Sequence, residues 1–396
     1  MLQAELNIGM LGHVDHGKTT LTSALTGKWT DTHSEEIKRG ISIRLGYADF
    51  KVFLCPKCGE YSATEKCACG GKGAFKRKIS IIDAPGHETL MTAVIAASNI
   101  LDGALFLIAA NEECPQPQTV EHLIILESMG VKNLIVVQTK IDLVSKEKAL
   151  ENHAQIKKFL KGTIAENAPI VPISANYRLN LNNLLKQIET SIPTPERKED
   201  SPLRMYISRS FDVNRPGTGI DDLKGGVLGG SVVQGSLNAN DKVEIRPGIV
   251  RKEGGKPIPM LCEAKAIMEE TESLPAAHPG GLIAIGTTLD PAITKSDALV
   301  GSVIGKPGSL PDATDAVRIK YSLLKRTDVE IPPLRDGEPI VVNVHTATCV
   351  GAIVGLAKGI ATIKLKKPVV VEPGMRAALS KRVGQRWRLA GWGEVV

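Results

Sequence analysis

Hydrophobic and polar positions follow two different periods along this chain. Up to about residue 192, short apolar runs alternate with segments whose apolar residues recur at helical spacing. The apolar runs predict buried strands at 6–11, 79–82, 104–108, 134–137 and 170–173, and the helical spacing predicts helices at 119–129 and 146–160. Such alternation predicts a doubly wound, mostly parallel sheet whose ligand lies at the carboxyl ends of the strands.

The helical period ends at a linker rich in proline and charge, residues 193–202. Two series of short β-like runs follow, broken by Gly, Pro and Asn and separated by a boundary at 308–312: first 205–213, 226–233, 241–245, 282–286 and 298–303, then 316–324, 339–347, 349–354, 359–365, 368–371 and 375–383. Such series are typical of closed β-barrels. We expect an α/β domain at 1–197 and β-barrel domains at 202–310 and 313–396.

Composition narrows the class of protein. A chain of 396 residues is long enough for two to four domains, and 42% hydrophobic with 23% charged residues is ordinary for a soluble globular protein. No apolar run is long enough to cross a bilayer, and the first residues lack a secretion leader. Seven cysteines without a regular framework indicate a reducing setting. We therefore expect a cytoplasmic protein with no membrane segment.

The positive charge is concentrated at the end of the chain. Residues 314–396 contain 14 Lys and Arg against 7 Asp and Glu, a net charge of +7, whereas the rest of the chain sums to 35 minus 36, or −1. This excess favours a polyanionic partner such as RNA. A solvated basic surface without a binding role is the alternative.

The segment Gly-His-Val-Asp-His-Gly-Lys-Thr, residues 12–19, joins the first predicted strand to a helix-forming segment. This order is that of a phosphate-binding P-loop, in which backbone N–H groups and a helix N-terminus converge on one anion. Lys18 supplies a charge for the β- and γ-phosphates, and Thr19 supplies a hydroxyl for Mg²⁺. The predicted phosphate-binding residues are Asp15, His16, Gly17, Lys18, Thr19 and Thr20.

Two clusters at later strand ends predict that the base is guanine. Thr139, Lys140 and Asp142 follow one strand, and the Asp142 carboxylate can accept two hydrogen bonds from a guanine edge that adenine does not offer. Ser174 and Ala175 follow the next strand, where their N–H groups can meet guanine O6. Together, in this order, the clusters favour GTP and GDP over ATP.

A third cluster predicts a magnesium site. Asp83 follows a predicted strand and can hold Mg²⁺ through water, and the N–H group of Gly86 can meet the γ-phosphate. The polar segment 31–43 lacks apolar residues for a core of its own and is a candidate switch loop. In it, Ser42 can complete the magnesium shell, with a serine of an ordinary loop as the alternative.

Four cysteines form two close pairs in an insert at about 53–78, and they are Cys55, Cys58, Cys67 and Cys69. Four thiolates at this spacing suit a closed, structural Zn²⁺ site, and metal binding would then supply folding free energy to a segment with few apolar residues. Disulfides or a metal-free knuckle are the alternatives. The insert also holds basic residues that could contact RNA or form a solvated face: Lys57, Lys66, Lys72, Lys76, Arg77 and Lys78.

The P-loop together with Asp-Ala-Pro-Gly-His at 83–87 resembles the translational GTPases, the class of elongation factor Tu. The resemblance implies that His87 orients the attacking water, with a purely structural loop histidine as the alternative, and that Val14 and Ile41 screen it. The chain departs from the family pattern at Ser42, where threonine is usual, and at Thr139, where asparagine is usual. Thr139 in place of asparagine alters the side chain that would tie the loop at 139–142 to the P-loop.

The cysteine knuckle, the run at 39–49 and the ending at 384–393 narrow the resemblance to the gamma subunits of archaeal and eukaryotic translation initiation factor 2. This family implies a GTP-switched carrier that brings methionylated initiator tRNA to the small ribosomal subunit, with alpha and beta partner subunits. The candidate tRNA contacts are Tyr47, Gly229 and Gly230. The alternatives are an elongation-type carrier of elongator or selenocysteinyl tRNA, the GTPase subunit of a sulfate-activating enzyme, and a non-hydrolysing zinc-containing scaffold.

Overall fold

The structure is a computed structural model that describes residues 2–30, 45–86, 91–249, 256–324, 326, 330–384 and 386–396. The chain divides into two compact units. The first is Leu2–Pro195, and the second contains Glu196–Val396.

The first unit is an α/β layer structure. In chain order its elements are β1 (Leu6–Gly12), α1 (Lys18–Thr26), β2 (Gly46–Leu54), β3 (Tyr61–Ser62), β4 (Ala74–Asp83), α2 (Met91–Ser98), β5 (Gly103–Ala109), α3 (Pro117–Met129), β6 (Leu134–Thr139), α4 (Lys146–Leu160), β7 (Ile170–Pro172) and α5 (Leu181–Ser191). The strand order is β3-β2-β4-β1-β5-β6-β7. The five strands from β4 to β7 in this order are parallel, and β2 and β3 are antiparallel additions at one edge.

Burial explains why the central strands read as continuous apolar runs. Every residue of β1, β5 and β6 is buried, so helices and loops cover both faces of the sheet. On one face, α5 contributes Leu184, Leu185 and Ile188, whose three- and four-residue spacing places them on one side of the helix. Burying each such side chain contributes about 1.5–3 kcal/mol.

Strand β2 has no counterpart among the predicted strands, although it forms the longest antiparallel pairing of the first unit. Its exposed and partly buried positions carry no clear apolar run, and only its pairing with β4 fixes it as a strand. Gly46 lies opposite Asp83 at one end of the pair, and Leu54 lies opposite Ala74 at the other. The β2–β4 hairpin therefore carries the cysteine insert at one end and Asp83 at the opposite end.

The second unit begins with a closed antiparallel barrel. Its elements are β8 (Arg204–Phe211), β9 (Val227–Gln234), β10 (Leu237–Asn238), β11 (Lys242–Ile249), β12 (Ile258–Glu269), β13 (Glu272–Leu274), β14 (Ala276–Ala277), β15 (Ile283–Thr287), α6 (Pro291–Thr294) and β16 (Val303–Gly305). The order β11-β16-β8-β9-β15-β12 closes through the pairing of β11 with β12, and β13 extends β12 at its end.

A second closed barrel follows, with the order β17-β20-β19-β18-β21-β22. Its strands are β17 (Ala313–Leu323), β18 (Pro339–Val344), β19 (Ala347–Ala357), β20 (Ile360–Val370), β21 (Arg376–Val383) and β22 (Arg386–Val395). The expected fold class, an α/β sheet followed by two β-barrels, is thus confirmed.

Two predicted strands need correction. Residues 298–302 are not extended, and the strand there is confined to β16. The backbone N–H groups of Val300 and Ser302 donate to the carbonyl oxygens of Asp297 and Leu299, each three residues earlier and at 3.1 Å, so this segment forms turns. The separate strand predicted at 368–371 is wrong as well, because β20 runs through exposed lysines without a break.

The two barrels contact each other through buried polar groups. The Thr346 hydroxyl donates to the carbonyl oxygen of Ile207 at 2.7 Å, and the rings of Tyr206 and His345 stack with centroids 5.0 Å apart. Arg204 donates to a carboxylate oxygen of Glu372 at 3.0 Å. The barrels therefore share one continuous packed unit.

Among the helices of the described ranges, none combines the length and the apolar composition that crossing a membrane would require.

Candidate nucleotide site and cysteine cluster

The loop between β1 and α1 has an unusual backbone. Gly12, Asp15 and Gly17 have φ values of 145°, 63° and 81°, which turn successive peptide groups in a way that most side chains disfavour. A Cβ atom at Gly12 would also collide with the carbonyl oxygen of Leu107. The loop then enters α1 at Lys18, with Thr19 and Thr20 in the first turn of the helix. The predicted anion site is therefore formed at a helix N-terminus.

Lys18 is held against this loop. Its side chain is buried, and its ammonium group donates to the carbonyl oxygens of Gly12 at 3.0 Å and His13 at 2.7 Å. Gly86 lies beside it, because a Cβ atom added to Gly86 would be 2.6 Å from Lys18 Nζ and 2.8 Å from the backbone nitrogen of Val14. Only a residue without a side chain fits between the end of β4 and the loop.

Asp83 and Thr19 bring hard oxygen ligands together. Asp83 is 1% exposed, and its Oδ2 accepts hydrogen bonds from the hydroxyls of Thr19 at 2.8 Å and Thr30 at 2.7 Å. A hydroxyl that donates its proton keeps its lone pairs for a cation. This carboxylate and hydroxyl set fits Mg²⁺, which prefers oxygen ligands. Thr30 was not among the residues predicted from sequence.

The segments predicted to bind guanine meet at the carboxyl ends of β6 and β7. The Thr139 hydroxyl donates to the carbonyl oxygen of His16 at 2.9 Å and is buried, so it ties this loop to the P-loop. Lys140 has a φ of 56°, and Asp142 is exposed in the short 3-10 helix Ile141–Leu143. The backbone nitrogen of Ile141 donates to the carbonyl oxygen of Ile173, at 3.4 Å.

Ser174 and Ala175 directly follow that contact. Ser174 is buried, and its backbone exchanges hydrogen bonds with Leu179, which closes a short loop ahead of α5. Ala175 is partly buried against the core beneath α5. Residues from the ends of β1, β4, β6 and β7 therefore share one edge of the sheet, as the strand-end pattern predicted.

Two side chains of helix α3 hydrogen-bond to the backbone of the P-loop, and neither was predicted from the sequence. The Nδ1 atom of His122 accepts from the Gly12 N–H group at 3.3 Å, and Gln118 Oε1 accepts from the Val14 N–H group, also at 3.3 Å. His122 is completely buried, and this burial holds its pKa well below the usual value. The available signal was the spacing of Gln118 and His122, four positions apart and therefore on one face of the helix.

His16 is a second buried histidine of the loop. Desolvation lowers its pKa to about 4, so the ring is neutral at physiological pH. Its Nδ1 lies 2.9 Å from the carbonyl oxygen of Leu107, and its Nε2 lies 3.3 Å from Glu112 Oε2. The imidazole side chain of His16 therefore anchors the loop, whereas the backbone N–H group of His16 is the part predicted to bind phosphate.

The four cysteines of the insert come together. Their sulfur atoms all lie within 4.8 Å of one another, with Cys55–Cys69 and Cys58–Cys67 each at 3.5 Å. A tetrahedral zinc ion with bonds of about 2.3 Å needs sulfur atoms almost this far apart, whereas a disulfide needs about 2.05 Å. All four are free cysteines. Backbone N–H groups of Cys58 and Lys57 lower the pKa of Cys55 to about 6, which favours a thiolate ligand.

Two of the basic residues assigned to a possible RNA or solvated face are instead buried. Arg77 pairs with Glu189 at 2.7 Å, and Lys78 pairs with Asp49 at 3.4 Å. Charge alone did not distinguish them from the exposed lysines of the insert, because pairing partners lie far away in sequence. Cys262 and Cys349 are buried and Cys114 is partly buried, and all three are free.

The candidate tRNA contacts lie in strands. Tyr47 is in β2, partly buried and opposite Ile82. Gly229 and Gly230 are buried in β9, within the strand predicted at 226–233, and a Cβ atom at Gly230 would collide with the carbonyl oxygen of Tyr206. Strand packing thus accounts for Gly230. His87, Ser42 and Ile41 lie outside the described residues.

Two family models match separate parts of the chain. The family model "Elongation factor Tu GTP binding domain" matches residues 3–194. The family model "Initiation factor eIF2 gamma, C terminal" matches residues 315–395. The first match covers the segments that form the candidate nucleotide site.

Solved structures share the fold. A bacterial selenocysteine-specific elongation factor, EF-Sec, is 27% identical with a TM-score of 0.77, and this chain is covered completely but spans 58% of that protein. Translation elongation factor SelB from Methanococcus maripaludis, in complex with the GTP analogue GppNHp, has a TM-score of 0.75 at 23% identity over 100% of this chain and 79% of its own.

Curated relatives match over the whole length. "Translation initiation factor 2 subunit gamma" of Methanocaldococcus jannaschii is 54% identical over 99% of this chain and 98% of its own. The protein of the same name from Pyrococcus abyssi is 52% identical over 99% of this chain and 97% of its own. This chain therefore belongs to the gamma-subunit family of translation initiation factor 2 and is a GTPase of translation initiation.

Proposed function

We propose that this chain is a GTP-switched carrier that delivers methionylated initiator tRNA to the small ribosomal subunit. The observation that carries the proposal is the full-length similarity to gamma subunits, combined with a P-loop, Asp83 and Asp142 at one sheet edge. The sequence similarity supports initiation, and the site geometry supports a nucleotide as the switching ligand.

Each residue of the site has a proposed role. The N–H groups from Asp15 to Thr20 and the Lys18 ammonium bind phosphates, and Asp142, Lys140, Ser174 and Ala175 recognise guanine. Thr139 fixes the guanine loop to the P-loop through its bond to the His16 carbonyl. Thr19 and Asp83 would hold Mg²⁺, with Ser42 as a further ligand, and the cation would neutralise phosphate charge. His87 would orient the attacking water.

Lys18 and Gly86 suggest how the terminal phosphate is sensed. Lys18 donates to the carbonyl oxygens of Gly12 and His13, and we propose that its ammonium group also binds the terminal phosphates. Gly86 lies directly beside it, and we propose that the N–H group of Gly86 binds the γ-phosphate, which GDP lacks. GTP can favour one conformation only through such contacts, because a ligand shifts populations only by its differential affinity.

Partner subunits are part of the proposal. The alpha subunit is assigned to the first barrel and the beta subunit to the α/β unit. The first barrel exposes Ile220 at 87% and Leu223 at 46%, and the α/β unit exposes Tyr177 at 77% and Leu143 at 62%. Contiguous apolar side chains in solvent are typical of protein-binding surfaces, whereas single ones are ordinary, so the neighbouring Ile220 and Leu223 are the stronger candidates.

The proposal is tested by capturing tRNA on the immobilised chain loaded with GTP or with GDP. We expect methionylated initiator tRNA to bind preferentially in GTP, and elongator methionyl-tRNA to bind weakly in both states. Sequencing the bound RNA identifies it without assumption. Recovery of elongator tRNAs, or of no tRNA in either state, would contradict the proposal.

A second candidate function is an elongation-type carrier of selenocysteinyl tRNA, favoured by the fold shared with EF-Sec and SelB. The same capture experiment separates the two functions. Preferential recovery of selenocysteinyl tRNA in GTP would support this alternative. The whole-length identity of 54% to a gamma subunit, against 27% to EF-Sec, favours initiation.

We also propose that the cysteine cluster binds Zn²⁺ for structural purposes. The β2–β4 hairpin separates the cluster from Asp83 by the length of β2, and nine residues at about 3.4 Å each span roughly 30 Å. Zinc there is too distant to act on a phosphate bound at Lys18. Tyr61 and Ala63 of the insert pack against the core of the α/β unit, so the metal would order a segment that is part of that core.

We expect Cys55→Ser to abolish zinc retention while guanine nucleotide binding falls by less than about threefold. The measurement is metal content by atomic absorption after dialysis, alongside GDP titration. Cys114→Ser is the matched control, because Cys114 is free and lies outside the cluster. Equal zinc content in both variants and the unmodified chain would refute a four-cysteine site.

A further inference from the structure

Thr30 forms a hydrogen bond to Asp83, one of the proposed magnesium ligands, although it lies outside the sequence motifs of the site. Its hydroxyl donates to Asp83 Oδ2 at 2.7 Å, and Thr19 donates to the same oxygen at 2.8 Å. Thr30 lies four residues after the end of α1 and is 53 positions from Asp83 in sequence. One carboxylate oxygen therefore receives two hydroxyl protons from different segments of the chain.

The position of Thr30 is fixed by close packing. Gly46 begins β2 and lies opposite Asp83 in the β2–β4 pair. A Cβ atom on Gly46 would be 2.6 Å from Thr30 Cβ, so the threonine side chain fills the space above this glycine. Its methyl and hydroxyl groups are thereby restricted, and the hydroxyl is directed at the carboxylate by contact as well as by hydrogen bonding.

The two hydrogen bonds have different consequences for a cation. Thr19 lies in the first turn of α1 and can present its lone pairs to Mg²⁺ while its hydroxyl donates to Asp83. Thr30 does not belong to the P-loop, and its proton restricts rotation of the Asp83 carboxylate plane. A hydrated cation requires ligands of near-ideal octahedral geometry, so a carboxylate held in one orientation binds it better than a rotating one.

We propose that Thr30 is a positioning residue of the magnesium site, and that its hydroxyl orients Asp83 to receive the hydrated cation. This inference rests on the proposed magnesium role of Thr19 and Asp83. It assigns to Thr30 an indirect effect, exerted through Asp83, and no contact with nucleotide. Its effect is therefore expected only when magnesium is present.

The test compares Thr30→Val and Thr30→Ser in the full chain loaded with GDP. Valine keeps the shape and removes the hydroxyl, whereas serine keeps the hydroxyl. The measurement is the rate of GDP release as magnesium chloride is titrated, and it does not depend on hydrolysis. We expect Thr30→Val to raise the magnesium concentration for half-maximal retention about tenfold, the effect of losing one hydrogen bond to a charged group.

Three controls make the result decisive. Thr30→Ser should stay within about threefold of the unmodified chain. In EDTA, Thr30→Val should release GDP at the unmodified rate. Thr190→Val removes an exposed hydroxyl that donates to the Lys186 carbonyl oxygen at 3.1 Å, far in sequence from Thr30 and Asp83, so it should not change the magnesium midpoint. Thermal unfolding verifies that each variant is folded.

Specific outcomes overturn the inference. An unchanged magnesium midpoint for Thr30→Val, or an equal loss for Thr30→Ser, would show that the hydroxyl does not orient Asp83. Faster release in EDTA would show a general structural role. Thr19→Ala distinguishes failure of the Thr30 inference from failure of the proposed magnesium site, because an unchanged midpoint in that variant would refute the site itself.

Discussion

Replacing Asp142 by alanine is expected to remove most of the preference for guanine over adenine nucleotides. The carboxylate can accept two charge-assisted hydrogen bonds from guanine, each worth about 1.5–3 kcal/mol, so the loss of both corresponds to roughly a hundredfold to ten-thousandfold weaker GDP binding. Adenine gains nothing from the carboxylate, so ADP binding should not fall in parallel. The measurement is competitive titration of GDP and ADP against a labelled guanine nucleotide.

Asp142 suits this test because it is exposed in a short helix and makes little contribution to the core. Glu147→Ala is the matched control, an exposed carboxylate five residues away in the first turn of α4. It removes the same charge without facing the base and should leave the ratio of GDP to ADP affinity unchanged. A ratio preserved in Asp142→Ala would show that guanine is recognised elsewhere.

The parts of the site that sequence predicted share one property: each is a short motif following an apolar run. Parallel strands end at the same edge, so Lys18, Asp83, Asp142 and Ser174 could be assigned to one place before any distance was known. The four cysteines could equally be predicted from the sequence, because the geometry of a metal site restricts the spacing of its ligands. In both cases local chemistry and strand order are sufficient.

The supporting contacts could not be predicted in this way, because each joins distant segments through a single side chain. His122 reaches Gly12 across 110 positions, and Thr30 reaches Asp83 across 53. Neither residue stands in a motif, and a buried histidine on a helix is ordinarily a core residue.

Arg77 illustrates how far charge can mislead. Its guanidinium Nε donates to Glu189 Oε1 at 2.7 Å, and Nη2 donates to the carbonyl oxygens of Ile188 and Ile192 at 3.1 and 2.9 Å. Nη1 donates to Thr194 at 3.2 Å. The side chain is 8% exposed, so it satisfies carbonyls at the end of α5 and fastens the segment that leaves the α/β unit.

We therefore expect Arg77→Met to lower the free energy of unfolding of the α/β unit by about 3–5 kcal/mol. Methionine retains much of the apolar stem but leaves the Glu189 carboxylate, itself only 14% exposed, without its cation. It also removes the Nη2 donor from the carbonyl oxygens of Ile188 and Ile192, of which that of Ile188 keeps the backbone N–H group of Ile192. The measurement is chemical denaturation followed by a signal from the α/β unit, with GDP present at a fixed concentration because bound ligand adds stability.

Lys76→Met is the matched control for Arg77→Met, since Lys76 is the preceding residue of the same strand and its side chain is exposed. It removes one positive charge from the same hairpin and should change stability by no more than about 0.5 kcal/mol. Arg77→Lys separates charge from geometry: one ammonium group cannot serve Glu189, the α5 carbonyls and Thr194 together, so an intermediate loss is expected. If Arg77→Met unfolded no more easily than Lys76→Met, the buried network would be shown to contribute nothing net, because desolvation of the ion pair would then offset its hydrogen bonds.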